Sequence, residues 1–349
     1  METKLIRMDD EHIDEALMRE AGDIIKAGGL VAFPTETVYG LGGDALNPLS
    51  SEKIYRAKGR PSDNPLIVHI ADMAHLDAIV REIPESAKKL AGAFWPGPLT
   101  MILHKSDIVP YETTGGLDTV AVRMPVHPVA KELIRAAGGY VAAPSANRSG
   151  RPSPTLAKYV TEDMNGRIEM IIDGGDVEIG LESTIVDLTT AEPIILRPGY
   201  ITKQMLEKVL NEVDEDCTMM RDDSGQAPKA PGMKYRHYAP KGDLTIVAGD
   251  TQRVIEYINA QIEQDKGKHK TTGVIGTDAS ISKYHADVCK SAGDRNDENA
   301  IARELYRILR EFDDENVEII YAESFETSGF GQAIMNRLLK AAGHKVVYV

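Results

Sequence analysis

The stretch HIDEALMREAGDIIKAGGLVAFPT, residues 12–35, decides the fold class. Its first part, 12–27, has the apolar spacing of an amphipathic helix, and Gly28 and Gly29 follow as a helix terminator. The next residues, LVAFPT, form a short apolar run typical of a buried strand. A helix that leads directly into a buried strand predicts an α/β architecture.

Short apolar runs of the same kind recur through residue 199. They are DTVAVRMP (118–125), YVAAPS (140–145), IEMIIDGG (168–175), STIVDLT (183–189) and PIILRPG (193–199). Loops at strand ends commonly carry functional residues. We therefore expect a site where these predicted strands end, before a short helix near 202–211.

The chain beyond residue 211 changes in character. Residues 211–231 are acidic and then rich in Gly, Pro, Ser and Lys, which predicts a linker. Four predicted strands and the helices between them follow, at 242–250, 271–277, 317–324 and 345–349 for the strands and near 251–264, 297–311 and 331–342 for the helices. This order predicts a small parallel, Rossmann-like domain. Its GFGQAI segment lacks the third glycine of a dinucleotide fingerprint.

Size and charge narrow the classes of function. A chain of 349 residues exceeds the usual size of one domain, so two domains are expected. Asp and Glu number 54 against 40 Lys and Arg, which gives a formal net charge of -14. Broad nucleic-acid binding depends on cations that neutralise phosphates, so the charge argues against it but leaves room for a local basic pocket.

The N-terminus and the cysteines bear on the compartment. The first residues carry acids where a secretory signal needs a basic start and an apolar stretch, so a cytoplasmic protein is expected. Cys217 and Cys289 are far apart and lack metal-ligand spacing, so neither a disulfide framework nor a zinc site is predicted.

Two segments in the first half concentrate polar chemistry. PTETVYGLGGDA (34–45) places Thr35 and Thr37 at a period of two, so both hydroxyls could face one side, although an ordinary strand end would look the same. KGRPSDNPLIVH (58–69) displays Lys58 and Arg60 in a loop stiffened by two prolines, a setting that suits phosphate recognition. A solvated surface loop is the alternative.

A third set of cations lies further along the chain. Arg123 falls inside an apolar strand, where its charge needs either an internal carboxylate or a bound anion. The loop APSANRSGRPSPT (143–155) suits backbone N–H groups directed at phosphate, and Ser183 and Arg197 stand at strand boundaries. If the six cations converge, they form a polyanion site; they are Lys58, Arg60, Arg123, Arg148, Arg151 and Arg197.

A series of sequence blocks resembles the two-domain form of the threonylcarbamoyl-AMP synthase family. The blocks, in this order, are FPTETVYGLG, KGRPSDNPLIVHI, FWPGPLT, VAVRMP, APSANRSGRPSPT, ESTIVDL, LRPG and PGMKYRHYAP. Lys-x-Arg at 58–60 and Ser-x-Asn at 145–147 match the signature pair of that family, and the resemblance covers nearly the entire chain.

The resemblance implies a fold and a reaction. It implies a catalytic domain over 10–205 with a twisted, mostly open α/β sheet and a concave basic cleft, a linker over 206–240 that reaches over the active site, and a Rossmann-like domain over 241–349. The implied reaction joins L-threonine, bicarbonate and ATP to give L-threonylcarbamoyl-AMP, pyrophosphate and water. The product would pass to a tRNA threonylcarbamoyl transferase complex that makes N6-threonylcarbamoyladenosine, without stable binding of tRNA by this chain. Mg²⁺ would be bound through the ATP phosphates, and no dedicated metal site is expected.

The resemblance also implies roles for individual residues. Four are implied in catalysis, namely Lys58, Arg60, Ser145 and Asn147. Those implied at ATP are Arg60, Asn64, Thr119, Ser145, Ser153, Arg197, Tyr235 and His237. Those implied at L-threonine are Thr35, Thr37, His69, Arg123, Ala143 and Ser183. For His69 we favour substrate binding over base catalysis, because a histidine at the end of a buried strand often only donates or accepts a hydrogen bond.

Alternatives remain open at this stage. PGMKYRHYAP (231–240) could be a lid over the cleft or an inert connector. The basic cleft could instead belong to an RNA-binding module, or to another adenylating or carbamoyl-transferring enzyme.

Overall fold

The computed structural model describes residues 2–216 and 238–349, which form two α/β units. The first contains an eleven-stranded sheet and the second a five-stranded sheet. This arrangement confirms the predicted fold class, a large open sheet unit followed by a smaller parallel one.

The first unit alternates strands and helices. Its strands are β1 (Lys4–Arg7), β2 (Val31–Phe33), β3 (Gly40–Asp44), β4 (Ile67–His69), β5 (Leu99–His104), β6 (Thr119–Arg123), β7 (Val141–Ala142), β8 (Met170–Asp173), β9 (Thr184–Asp187), β10 (Ile194–Arg197) and β11 (Asp214–Glu215). Its helices are α1 (Glu15–Lys26), α2 (Pro48–Lys58), α3 (Leu76–Ile79), α4 (Glu85–Phe94), α5 (Tyr111–Thr114), α6 (Pro128–Ala136), α7 (Ala157–Met164) and α8 (Lys203–Leu210).

The strand order of the first sheet is β1-β8-β2-β3-β7-β4-β6-β5-β9-β10-β11. Neighbours are parallel at β4 and β6 and antiparallel at β5 and β6, so the sheet is mixed. Because β1 and β11 are both edges, the sheet is open. Residues 206–210 of the predicted linker lie in α8 and residues 214–215 form β11, which extends this sheet through its pairing with β10. The division into functional domains stays a prediction.

Helices cover both faces of the first sheet. Val31 and Phe33 of β2 pack with α1 and α6 on one face, while Ala32 between them joins the core on the other. This alternation follows from the period of two along a strand. The α1 helix approaches α6 closely at Gly22, where a Cβ atom would lie 2.5 Å from the backbone of Ala136.

The second unit is a parallel sheet. Its strands are β12 (Asp243–Ala248), β13 (Thr272–Gly276), β14 (Val288–Ser291), β15 (Ile319–Glu323) and β16 (Val346–Tyr348), and its helices are α9 (Thr251–Lys266), α10 (Glu298–Asp314) and α11 (Gly331–Ala341). The order is β14-β13-β15-β12-β16, and the strands pair in parallel. The sequence predicts four of these strands and misses β14, an edge strand whose VCKS sequence has little apolar character.

The end of α2 determines how two predicted site residues are presented. Lys58 closes the helix, and Gly59 adopts the left-handed conformation with φ of 64°. The chain then reverses, so that the Arg60 amide donates to the Tyr55 carbonyl at 2.9 Å. A glycine at this position is the common helix ending because a side chain strains the left-handed backbone. Lys58 and Arg60 are therefore held on either side of a fixed turn.

Replacing Gly59 with alanine should destabilise the protein by about 1 kcal/mol, because the left-handed conformation is unfavourable for a residue with a Cβ atom. No atom lies within 4 Å of the added Cβ, so conformation alone is tested. Urea denaturation measures the free energy of unfolding. Gly92→Ala is the control: its Cβ also meets no atom within 4 Å, but Gly92 lies in α4, where alanine should stabilise by about 0.5–1 kcal/mol. Equal effects of the two substitutions would contradict the prediction.

Candidate active site

A cleft on the first unit brings together most of the predicted site residues. Eleven of them line it: Thr35, Thr37, Lys58, Arg60, His69, Arg123, Ala143, Ser145, Asn147, Ser183 and Arg197. Eight further residues complete the lining, namely Val38, Tyr39, Gly40, Ile67, Pro144, Ser149, Glu182 and Tyr238.

Strand pairing explains why residues distant in sequence meet in the cleft. His69 of β4 lies opposite Arg123 of β6 in the parallel register, and both strands end there. The Ala143 amide, just past β7, donates to the Ile67 carbonyl at 2.9 Å. Residues at the ends of β4, β6 and β7 are therefore neighbours in the cleft.

Lys58 joins the two signature segments directly. Its Nζ donates to the Asn147 carbonyl at 2.6 Å, to Asn147 Oδ1 at 3.3 Å and to the Ser145 carbonyl. Burial, and then the nearby charge of Arg60, lowers the pKa of Lys58 below its usual value. The three acceptors all favour the ammonium form. In the part of the chain described here, Lys58 has no carboxylate partner.

Arg60 is also held by carbonyl groups. Its Nη2 donates to the carbonyls of Asn64 and Pro65, at 3.2 and 3.0 Å. Its Nε is buried without a hydrogen-bond partner among the described residues, and desolvation lowers the pKa of the guanidinium to about 10. Within residues 2–216 and 238–349, Arg60 forms no ion pair. In that part of the chain, two cations close in sequence thus line the cleft with no carboxylate bound to either.

Arg123 has an internal partner. Its Nη2 donates to Glu36 Oε1 at 2.5 Å, and its Nη1 donates to the Thr37 hydroxyl at 2.8 Å. Of the two partners that the sequence left open, the internal carboxylate is therefore present. Glu36 was not predicted; the only signal was its place between Thr35 and Thr37, whose hydroxyl oxygens lie 2.9 Å apart.

Arg123 nevertheless has N–H groups available for further hydrogen bonds. A guanidinium has five N–H groups, and each terminal nitrogen carries two. The Nε hydrogen points to the Gly97 carbonyl at 3.4 Å. One hydrogen on each terminal nitrogen therefore remains for a second carboxylate.

Glu182 is the second acid that the sequence reasoning missed. It lines the cleft and accepts hydrogen bonds from the Ser153 hydroxyl at 2.5 Å and from Arg337 Nε at 2.9 Å. Burial would raise its pKa, but Arg337 and Arg197 outweigh that effect and hold it at about 2. In the sequence, the only indication of Glu182 was an acidic residue within GLESTIV (180–186). Its partner, Arg337, lies 155 residues further along the chain.

Three other predicted residues are not part of the cleft lining, namely Asn64, Thr119 and Ser153. Asn64 is fully buried, and neither polar atom of its side chain has a hydrogen-bond partner among the described residues. Thr119 starts β6 opposite His104, and Ser153 reaches the cleft only through Glu182. Tyr235 and His237 lie outside the described residues.

The convergence of six cations is only partly realised. Lys58, Arg60, Arg123 and Arg197 line the cleft, whereas Arg148 and Arg151 do not. The side chain of Arg151 turns away because it pairs with Asp163 and lies 3.4 Å from Asp313. Among the described residues, no group of three or more His, Cys, Asp and Glu could hold a metal ion.

The fold and the cleft together define a two-unit α/β protein with a cleft lined by Lys58, Arg60, Arg123 and Arg197. Residues 23–199 match the family model described as "Telomere recombination", and 201–343 match "Threonylcarbamoyl-AMP synthase, C-terminal domain". The chain therefore belongs to the threonylcarbamoyl-AMP synthase family, in its two-domain form. No described helix has the length and apolar character needed to cross a membrane.

Individual relatives agree with this assignment. The chain is 49% identical over 339 residues to the threonylcarbamoyl-AMP synthase of Pyrococcus abyssi, covering 97% of this chain and 98% of that protein. It is 47% identical over 340 residues to the Bacillus subtilis protein of the same name, covering 97% and 96%. The crystal structure of P. abyssi Sua5 complexed with L-threonine matches with a TM-score of 0.94 at 47% identity, covering 99% of this chain and 100% of that one.

His69 should remain neutral at physiological pH. Burial, and then the charge of Arg123, lowers its pKa to about 3. Its Nδ1 lies 3.1 Å from the Ile67 carbonyl, so the neutral ring with a proton on Nδ1 fits this site. A base that weak is poorly suited to proton removal near neutral pH.

The low pKa of His69 should appear in the pH dependence of stability. The pKa of His69 is about 6.5 in the unfolded chain and about 3 in the folded protein. Between these two pH values the unfolded chain binds more protons, so the free energy of unfolding falls as the pH falls. When the pH is lowered from 6.5 to 5.5, the free energy of unfolding of the wild type should fall by about 1 kcal/mol more than that of His69→Gln. Urea denaturation at both values measures the difference. An NMR titration of His69 with a midpoint near pH 6 would show that the prediction is wrong.

Proposed function

We propose that this chain synthesises L-threonylcarbamoyl-AMP from L-threonine, bicarbonate and ATP, releasing pyrophosphate and water. The observation that carries the proposal is the pair of cations, Lys58 and Arg60, that face the cleft without a carboxylate partner among the described residues. A desolvated cation is costly unless an opposite charge joins it. The triphosphate of ATP supplies several such charges.

The chemistry needs this concentration of positive charge. The threonine amine attacks bicarbonate to give a carbamate, and a carbamate oxygen then attacks the α-phosphorus of ATP, expelling pyrophosphate. Carbamate and triphosphate are both anions. Lys58, Arg60 and Arg197 offset their repulsion and stabilise the charge that develops on the transferring phosphorus and the leaving group.

The threonine half of the site lies around Arg123. The two N–H donors left on its terminal nitrogens suit the α-carboxylate of threonine, and the contact to Glu36 fixes the plane of the guanidinium. The remaining members of this half are Thr35, Thr37, His69, Ala143 and Ser183. A neutral His69 binds substrate here, and catalysis rests mainly on positioning.

The nucleotide half lies between the two signature segments. Ser145 and Asn147 line the cleft together with Lys58 and Arg60, and their main-chain carbonyls accept hydrogen bonds from Lys58 Nζ. Asn64 belongs to the same proposal, since its main-chain carbonyl accepts from Arg60 and its buried side-chain amide has no hydrogen-bond partner among the described residues. Thr119 and Ser153 are weaker members of this half because neither lines the cleft.

The proposal also covers the metal ion, the fate of the product and the division into domains. Mg²⁺ enters the site bound to the ATP phosphates. The product, L-threonylcarbamoyl-AMP, passes to a tRNA threonylcarbamoyl transferase complex in the cytoplasm. The catalytic domain lies in the first unit, and the Rossmann-like domain is the second. Neutralisation of the triphosphate by magnesium is the usual arrangement in phosphoryl transfer.

An assay with ATP, L-threonine and labelled bicarbonate tests the proposed reaction. We expect pyrophosphate release and one labelled nucleotide product whose mass is that of L-threonylcarbamoyl-AMP. Omitting threonine should abolish the labelled product. A product formed equally well without threonine would overturn the proposal.

Arg60→Met should separate catalysis from stability. The substitution removes a cation that has no ion-pair partner in residues 2–216 and 238–349, so the free energy of unfolding should change by less than about 1 kcal/mol. The kcat/KM of ATP-dependent pyrophosphate release should fall about 100-fold or more, because the cation acts on charge developed in the transition state.

Arg56→Met is the matched control for Arg60→Met. Arg56 lies in the last turn of α2 but is exposed and outside the cleft, so its loss should leave kcat/KM within about threefold of the wild type. Parallel losses of activity and stability in Arg60→Met would make Arg60 a structural residue.

A further inference from the structure

Glu182 presents an electrostatic problem for the proposed nucleotide site. Its carboxylate lines the same cleft as Lys58 and Arg60, is 6% exposed, and is ionised at neutral pH. An uncompensated carboxylate at this place would repel a triphosphate. Among the described residues the first unit offers it one hydrogen bond, from the neutral Ser153 hydroxyl, and the nearby charge of Arg197, which lowers its pKa less than Arg337 does.

The second unit supplies the missing partners of Glu182. Arg337 of α11 donates from Nε to Oε2 at 2.9 Å, and Tyr306 of α10 donates to the two carboxylate oxygens at 3.0 and 3.2 Å. Both side chains are 0% exposed. The guanidinium therefore neutralises the carboxylate in a setting that water and salt screen little.

Arg337 is itself held firmly. Its Nη1 donates to Asn336 Oδ1 at 3.0 Å, and its guanidinium lies over the Tyr238 ring at 5.8 Å. The Tyr238 and Tyr306 rings stack with centroids 5.2 Å apart. Tyr238 also lines the cleft, so one continuous set of contacts runs from α10 and α11 to the cleft wall.

The geometry points to Arg337 as a positioning residue for ATP, one that makes the second unit part of the nucleotide site. Docking of the second unit neutralises Glu182, so the cleft carries the net positive charge that the triphosphate needs. Glu182 in turn holds Ser153 in the loop that continues from Ser145 and Asn147. This inference rests on the proposed use of ATP.

Titration calorimetry with ATP tests the inference on the full chain. Arg337→Met should raise the Kd for ATP at least tenfold, because it leaves Glu182 charged beside the triphosphate. Arg337→Lys, which keeps the charge, should stay within threefold of the wild type. The double variant Glu182→Gln with Arg337→Met should recover to within threefold, because the repelling charge is gone.

Arg310→Met separates charge compensation from a disturbed interface. Arg310 of α10 is 1% exposed, pairs with Asp163 at 2.6 Å across the same interface and lies outside the cleft lining. Among the described residues Arg310 forms no hydrogen bond or ion pair with Glu182, so any rise in the ATP Kd of Arg310→Met should not be reversed by adding Glu182→Gln. A reversal there, or no recovery in the double variant Glu182→Gln with Arg337→Met, would overturn the inference.

Two further outcomes are decisive. If Arg337→Met fails to fold, Glu182→Gln alone tests the inference. The inference requires the Kd of Glu182→Gln for ATP to be equal to or below that of the wild type, and any larger Kd overturns the inference. A wild-type chain that binds no ATP overturns the proposed function and this inference together. Wild-type binding that Arg337→Met leaves unchanged overturns the inference alone.

Discussion

The contact on which the cleft depends joins Lys58 Nζ to the main-chain carbonyls of Ser145 and Asn147. It ties the end of α2 to a loop almost ninety residues further along the chain. Carbonyl oxygens orient the ammonium group but leave its full charge uncompensated, which a carboxylate would not. The same choice recurs at Arg60, which also donates to carbonyls. The cleft therefore keeps its positive charge available in a chain whose formal net charge is -14.

The two acids beside the cleft are controlled in different ways. Glu36 is bound by Arg123 of the same unit, in a contact that orients a guanidinium and still leaves it donors. Glu182 is bound by Arg337 of the other unit, which forms its ion pair only in the docked arrangement. Buried ion pairs contribute little net stability, so their value here lies in fixing geometry and charge.

Local pattern was enough to predict much of the fold and part of the site. The helix at 15–26, the strands that end at Arg123 and Arg197, the strand that follows Ser183, and the parallel second sheet follow from periodicity and from glycine and proline positions. Short or weakly apolar strands such as β11 and β14 were missed because sheet pairing, and not their own sequence, forms them. Glu36 and Glu182 were missed for a similar reason: their roles depend on Arg123 and Arg337, contacts that arise only on folding.

The second unit also contacts the loop that contains the Ser-x-Asn motif, on residues that follow Asn147. Asp163 of α7 accepts from the Arg148 amide at 3.0 Å and pairs with Arg151, and it is bound in turn by Arg310 of α10. Arg310 also donates to the Pro152 carbonyl at 2.6 Å. Residues 148–153 directly continue the loop whose carbonyls orient Lys58. A shift of α10 would therefore move these carbonyls and change the position of the ammonium group. Two buried ionic contacts, one on Asp163 and one on Glu182, thus fix this segment at both ends, and the geometry of the phosphate-facing cations becomes a property of the docked pair of units.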